Sequence, residues 1–128
     1  MYKVIIAGTR DFSDYALLCS YVDEVLAGKK DVEIVSGSAR GADALGEQYA
    51  RERGFALKVF PAEWKKWGRA AGPVRNAQMA DYADALIAFW DGKSAGTRDM
   101  IRKAEERGLP VSLKIYGWFL QTGTTAHL

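Results

Sequence analysis

The chain of 128 residues has a single cysteine, Cys19, and a single histidine, His127. One cysteine excludes an internal disulfide. One histidine, placed at the C-terminal end, excludes a Ser-His-Asp or Cys-His catalytic arrangement in the body of the chain. A Cys/His metal cluster is excluded by the same shortage, so no metal is expected. Long apolar runs are also missing. None approaches the roughly 20 residues of a membrane-spanning helix, and the apolar stretch in Met1–Gly8 is too short for a signal peptide. A cytoplasmic protein with no membrane partner is expected, with Cys19 as a buried, inert thiol on the apolar face of a helix. Charge is nearly balanced: 18 Lys and Arg against 16 Asp and Glu leave a net charge of +2. No basic stripe is present, which argues against nucleic acid as a partner. Internal repeats and low-complexity segments are absent too.

What is present is an ordinary globular composition, 48% hydrophobic and 27% charged, in a length that suits one domain with its own core. Apolar β-branched runs alternate with segments of helical periodicity. Strands are predicted at Tyr2–Ala7, Val32–Ser36, Ala56–Phe60, Asp84–Trp90 and Val111–Ile115. The Asp84–Trp90 segment is almost wholly apolar, as a central parallel strand should be. Helices are predicted after Ser13, read as an N-cap; from Ala42 to near Gly54; from Pro73, which suits a first helical position; and after Thr97, read as a cap. Residues 62–73 read as a long loop with one helical turn at most. This alternation predicts an α/β fold, a three-layer sandwich with a mostly parallel sheet of about five strands and helices on both faces. Residues 1–117 form the domain and residues 118–128 a tail, polar from Gln121 onward.

The chain is organised around Val35-Ser36-Gly37-Ser38-Ala39-Arg40-Gly41-Ala42-Asp43. A strand-to-helix turn of small residues lets backbone N–H groups converge, and the helix N-terminus behind it adds about half a positive charge. Arg40 adds a full charge and a planar donor fork. The turn therefore suits a phosphate or another anion. It lacks the lysine of a P-loop and does not match the dinucleotide glycine fingerprint, so no nucleotide cofactor of either type is expected. In an open parallel sheet, ligands bind beyond the carboxyl ends of the strands. Gly8-Thr9-Arg10 follows the first strand, Ser36–Asp43 the second, and Asp91–Thr97 the fourth, so all three clusters share one edge. Arg75 and Asn76, read in the first turn of the helix opening at Pro73, reach the same edge. A cation in a first turn opposes the helix dipole, and an anionic ligand would explain it. The ligand-binding candidates are Gly8, Thr9, Arg10, Ser36, Gly37, Ser38, Arg40, Gly41, Asp43, Arg75, Asn76, Gly96 and Thr97. Trp64, Trp67 and Trp90 read as core or interface residues.

Taken together, Gly8-Thr9-Arg10-Asp11-Phe12, Ser36–Asp43, Gly72-Pro73-Val74-Arg75-Asn76 with Met79, and Ala85–Gly92 with Gly96-Thr97 resemble the SLOG superfamily, in its YspA-related branch of small stand-alone domains. The superfamily includes the DNA-processing protein DprA, the Lonely Guy phosphoribohydrolases and ligand-sensing domains of antiphage systems. The resemblance covers roughly residues 2–115. It implies a Rossmann-like sheet and a pocket for a nucleotide or nucleotide-derived small molecule. Two departures matter. Many relatives have two glycines where this chain has Gly37-Ser38. The hydrolases use the glutamate of a Pro-Gly-Gly-x-Gly-Thr-x-x-Glu motif, and here that position is Met100.

Asp99 precedes Met100 by one residue and lies about 100° around the helix from it. The resulting expectation is a binding module that senses or sequesters its ligand. The alternatives are an N-glycosidic phosphoribohydrolase of nucleoside monophosphates, with Arg75 and Asp99 as the weak catalytic candidates, and single-stranded DNA binding like that of DprA. A homodimer or higher homo-oligomer is expected, because relatives often self-associate and Trp64, Trp67, Trp118 and Phe119 exceed what a small core needs.

Overall fold

A computed structural model describes residues 1–117. The expected tail, 118–128, lies outside the described residues, as do Trp118, Phe119 and His127. Five strands form one sheet: β1 Tyr2–Gly8, β2 Val32–Ser36, β3 Ala56–Val59, β4 Ala85–Trp90 and β5 Val111–Ile115, in the order β3-β2-β1-β4-β5. Every pairing is parallel, with Ile5 opposite Val35 on one side of β1 and Leu86 on the other. The fold is thus the expected α/β sandwich, with a sheet that is wholly parallel among the described strands.

Strand alternation divides the core in two. Val4 and Ile6 of β1, Ile34 of β2, and Ile87 and Phe89 of β4 face α1 (Tyr15–Val25) and α2 (Ala42–Arg53), packing with Leu18, Val22, Tyr49 and Ala50. Ile5, Ala7, Val35, Leu86 and Ala88 face the other way, onto α4 (Ala71–Tyr82) and α5 (Ala95–Glu106), through Met79, Ala80, Met100 and Ala104. The middle of β1 is fully buried on both faces, and burial of each such aliphatic side chain contributes about 1.5–3 kcal/mol.

Several boundaries differ from the sequence reading. Asp14, not Ser13, caps α1, accepting from the Leu17 N–H at 3.0 Å. Ser94, not Thr97, caps α5, and Thr97 is its donor. Cys19 is partly exposed at the flank of the α1 stripe rather than fully buried. Residues 62–73 hold a short helix, α3 (Trp64–Trp67), and a 3-10 turn, Gly68–Ala70, which runs into α4. Helix α4 therefore starts at Ala71, two residues before Pro73. Proline is accommodated there because the N–H groups of a first turn have no helical partner.

Candidate functional site

Strand order reverses between β1 and β4, and in open α/β sheets the crevice at such a point takes the ligand. The loops that follow β1, β2 and β4 meet there, and Thr9 ties them together. Its N–H donates to the Phe89 carbonyl at 3.0 Å, its carbonyl accepts from Ala42 at 3.3 Å, and its hydroxyl accepts from the Asp91 N–H at 3.2 Å. Gly41 makes this junction possible. Its φ is +72°, and a Cβ there would stand 2.4 Å from the carbonyl oxygens of Thr9 and Arg10.

The β2–α2 turn is built from inside. Ser36 is fully buried; its hydroxyl donates to the Glu47 carboxylate at 2.7 Å and accepts from the Ser38 N–H at 3.1 Å. Ser36 thus shapes the turn from inside, between Glu47 of α2 and the Ser38 backbone. Ser38 has a φ of 64° and is exposed. Asp43 is 5% exposed and accepts from the Ala39 N–H at 3.2 Å. Burial pushes its carboxyl up to about 6, against the pull of the Ala39 and Gly8 N–H groups and the charge of Arg75. No side chain caps α2; its first N–H, of Ala42, donates to the Thr9 carbonyl, and the Asp43 carboxyl stands in its first turn. Arg40 is exposed, and Asp43 is braced by backbone N–H groups rather than by Arg40.

Helix α4 supplies the central cation. Because α4 begins at Ala71, Arg75 and Asn76 lie in its second turn, not its first. Arg75 is 9% exposed. Its Nε donates to Asn76 Oδ1 at 3.1 Å and its Nη1 to the Gly37 carbonyl. Nη2 has no hydrogen-bond partner among the described residues, and no side-chain nitrogen or oxygen among them is both buried and unpartnered. Nη2 is therefore open to the cavity. Burial lowers the Arg75 pKa, with nearby Arg10 adding to the effect and Asp43 opposing it.

Asn76 links α4 to α5, donating to Asp99 Oδ2 at 2.9 Å and to the Gly96 carbonyl at 3.3 Å. Asp99 also accepts from Lys103 at 2.6 Å and Arg102 at 2.8 Å. Burial raises its carboxyl, but the Lys103 and Asn76 donors and the two cations outweigh it and hold it low.

A cavity of about 350 Å³ lies at this edge, within the usual size range of small-molecule sites. Its walls include Gly8, Arg10, Asp43, Arg75 and Asn76, together with Gly96, Thr97 and Asp99 from α5. Asp99 and Met100 both reach it, although they are adjacent on the helix. A neighbouring cavity of about 270 Å³ takes Gly37, Ser38 and Arg40, and shares Arg10 and Arg75 with the first. Thr9 lines a third cavity, of about 550 Å³, beside Arg10 and Arg40. Ser36 and Gly41 line none of the three. Met79 and Met100, expected as a motif residue and as the residue at the hydrolases' glutamate position, both wall the first cavity. Trp64 is 54% exposed and stands in the walls of the 350 Å³ and the 270 Å³ cavities.

Residues 2–67 match the model of a family described as YspA, cpYpsA-related SLOG. The Gene 61 protein of Mycobacterium phage D29 is 35% identical over 118 residues, covering 87% of this chain and 94% of that protein. Among solved structures, DNA processing protein A (DprA) of Streptococcus pneumoniae superposes with a TM-score of 0.72 at 18% identity over 98% of this chain. The chain spans 58% of that DprA chain. A structural-genomics target, TM1055, superposes with a TM-score of 0.64 at 24% identity, covering 87% of this chain and 72% of its own. Both likenesses are likenesses of fold.

Proposed function

The chain belongs to the YspA, cpYpsA-related SLOG family, and from that premise we propose that it binds a nucleotide or nucleotide-derived small molecule, to sense or sequester it, through an anion site at the carboxyl edge of the sheet. The observation that carries the reading is Arg75. Its guanidinium is almost buried, two of its nitrogens are fixed by Asn76 and Gly37, and Nη2 stays open to the cavity. Asp43 offsets part of the Arg75 charge, and the open Nη2 leaves a charged donor for a phosphate oxygen. Arg10 and Arg40 at the rim add positive potential.

We propose binding without turnover. Cleavage of an N-glycosidic bond needs a carboxylate placed to stabilise positive charge on the sugar. Met100 lines the cavity where the hydrolases of the superfamily have glutamate, and Asp99 is engaged by Asn76, Arg102 and Lys103. A homo-oligomer belongs to the same proposal, supported by the exposure of Trp67 (43%) and Val59 (37%); a monomer mass in light scattering at micromolar concentration would contradict it. A cytoplasmic location is also proposed, on the strength of the unpaired Cys19. No described helix is long and apolar enough to cross a membrane.

Mass spectrometry of small molecules released from the heat-denatured protein tests the reading. A co-purifying nucleotide or phosphorylated derivative is expected. Incubation with nucleoside monophosphates is expected to release no free base, and release abolished by Asp99→Asn would replace the binding reading with the hydrolase.

A further inference from the structure

We infer that Trp64 is a stacking platform for a nucleobase, so that the ligand carries a planar heteroaromatic ring beside its anionic group; this rests on the nucleotide reading above. The tryptophans of the described residues differ in how their rings are used. The Trp67 ring has the Lys66 ammonium 5.2 Å from its centroid. The Trp90 ring lies beneath the Arg98 guanidinium at 5.6 Å, and its Nε1 donates to the Ser94 carbonyl at 3.1 Å. Trp64 has no aromatic or cation partner among the described residues and is the most exposed of the three.

Its position sets it apart further. Trp64 lines both the 350 Å³ and the 270 Å³ cavity, and the two cavities also share Arg10 and Arg75. On one side it borders the Gly37–Arg40 loop, where Arg10, Arg40 and Arg75 offer positive charge. On the other it shares the wall with Pro73 and the soft thioethers of Met79 and Met100, each 1% exposed. An inorganic anion would use the arginines alone and leave the exposed Trp64 ring in water. A ligand with a phosphate at one end and a flat ring at the other uses both. Stacking on an indole tolerates any base, because every base has a π-face, so Trp64 selects for a base without dictating which.

The test is calorimetric titration of wild type, Trp64→Leu and Trp64→Phe with each of the four ribonucleoside monophosphates and with ribose 5-phosphate. Trp64→Leu is expected to weaken the tightest-binding monophosphate by about tenfold or more, while Trp64→Phe keeps it within roughly threefold. Ribose 5-phosphate affinity is expected to be equal in all three proteins, which a merely structural role for Trp64 would not preserve. A Leu variant that binds the monophosphate as wild type does overturns the inference and leaves the anion site standing. The same unchanged affinity with an altered mass in light scattering would assign Trp64 to contact between copies and overturn it equally. If wild type binds neither compound, the nucleotide reading falls and takes this inference with it.

Discussion

Arg75 on α4 donates through Nη1 to the carbonyl oxygen of Gly37 on the β2–α2 turn, 38 positions earlier in the chain. One hydrogen bond thereby joins the two elements that flank the site. It depends on the absence of a side chain at residue 37, where a Cβ would stand 2.7 Å from Arg75 Nη1 and 2.9 Å from Asp43 Oδ2. Gly37→Ala is expected to push Arg75 off the turn and to destabilise the protein by about 1–3 kcal/mol. Thermal unfolding would then show a fall in Tm of roughly 4–12 °C. An unchanged Tm with intact ligand affinity would mean that the turn yields and the contact is dispensable.

Ser38 is the only non-glycine with positive φ among the described residues, at 64°. A left-handed conformation strains an L-residue with a Cβ, and glycine relieves that strain. Ser38→Gly is expected to raise stability by about 0.5–1 kcal/mol, net of the extra entropy glycine loses on folding. Urea denaturation should show a higher midpoint with the same slope. A lower midpoint would assign the Ser38 side chain a structural contact that outweighs the strain.

Arg40 is exposed, borders the smaller cavity and braces no neighbouring carboxylate. Arg40→Ala should therefore leave Tm unchanged while weakening binding of a nucleoside monophosphate by roughly tenfold, the value of a charge-assisted hydrogen bond at about 1.5–3 kcal/mol discounted for exposure. Equal affinity in wild type and variant would remove Arg40 from the site.

Asp43 makes stability depend on pH in an unusual direction. Burial raises its carboxyl to about 6 in the folded protein, against about 3.9 in an unfolded chain. The folded state therefore holds this proton across a window in which the unfolded state has released it. This group's contribution to stability is largest below about pH 4 and is lost as pH rises through about 6. The difference between wild type and Asp43→Asn should accordingly shift in favour of wild type by roughly 2–3 kcal/mol between pH 7 and pH 4. Chemical denaturation of both proteins at the two pH values measures it, and a pH-independent difference would contradict the raised carboxyl.

The sheet was legible because its signals are local and strong. The near-continuous apolar runs of β1 and β4 can only be buried on both faces, and helical periodicity separates them. The ends of helices were less legible where neighbours compete. Ser13 and Asp14 have similar capping chemistry, as do Ser94 and Thr97, and only the path of the chain decides between them. Pro73 misled because a proline costs no hydrogen bond anywhere in a first turn, and the two-residue shift put Arg75 and Asn76 in the second turn.

At the site, the clustering of three loops on one edge was readable from strand order and small residues. The inward direction of Ser36 was not, since it depends on the parity of a five-residue strand. The reach of Trp64 into the cavities depends on how residues 60–70 travel from β3 to α4, which no local pattern specifies.

The most direct test of the central claim is calorimetric titration of the wild-type protein with a nucleoside monophosphate and with its parent nucleoside at pH 7.5. If Arg75, with Arg10 and Arg40 at the rim, holds the anionic end of the ligand, the monophosphate binds at least about tenfold tighter than the nucleoside. Equal affinities, or no saturable heat from any monophosphate, would contradict the account.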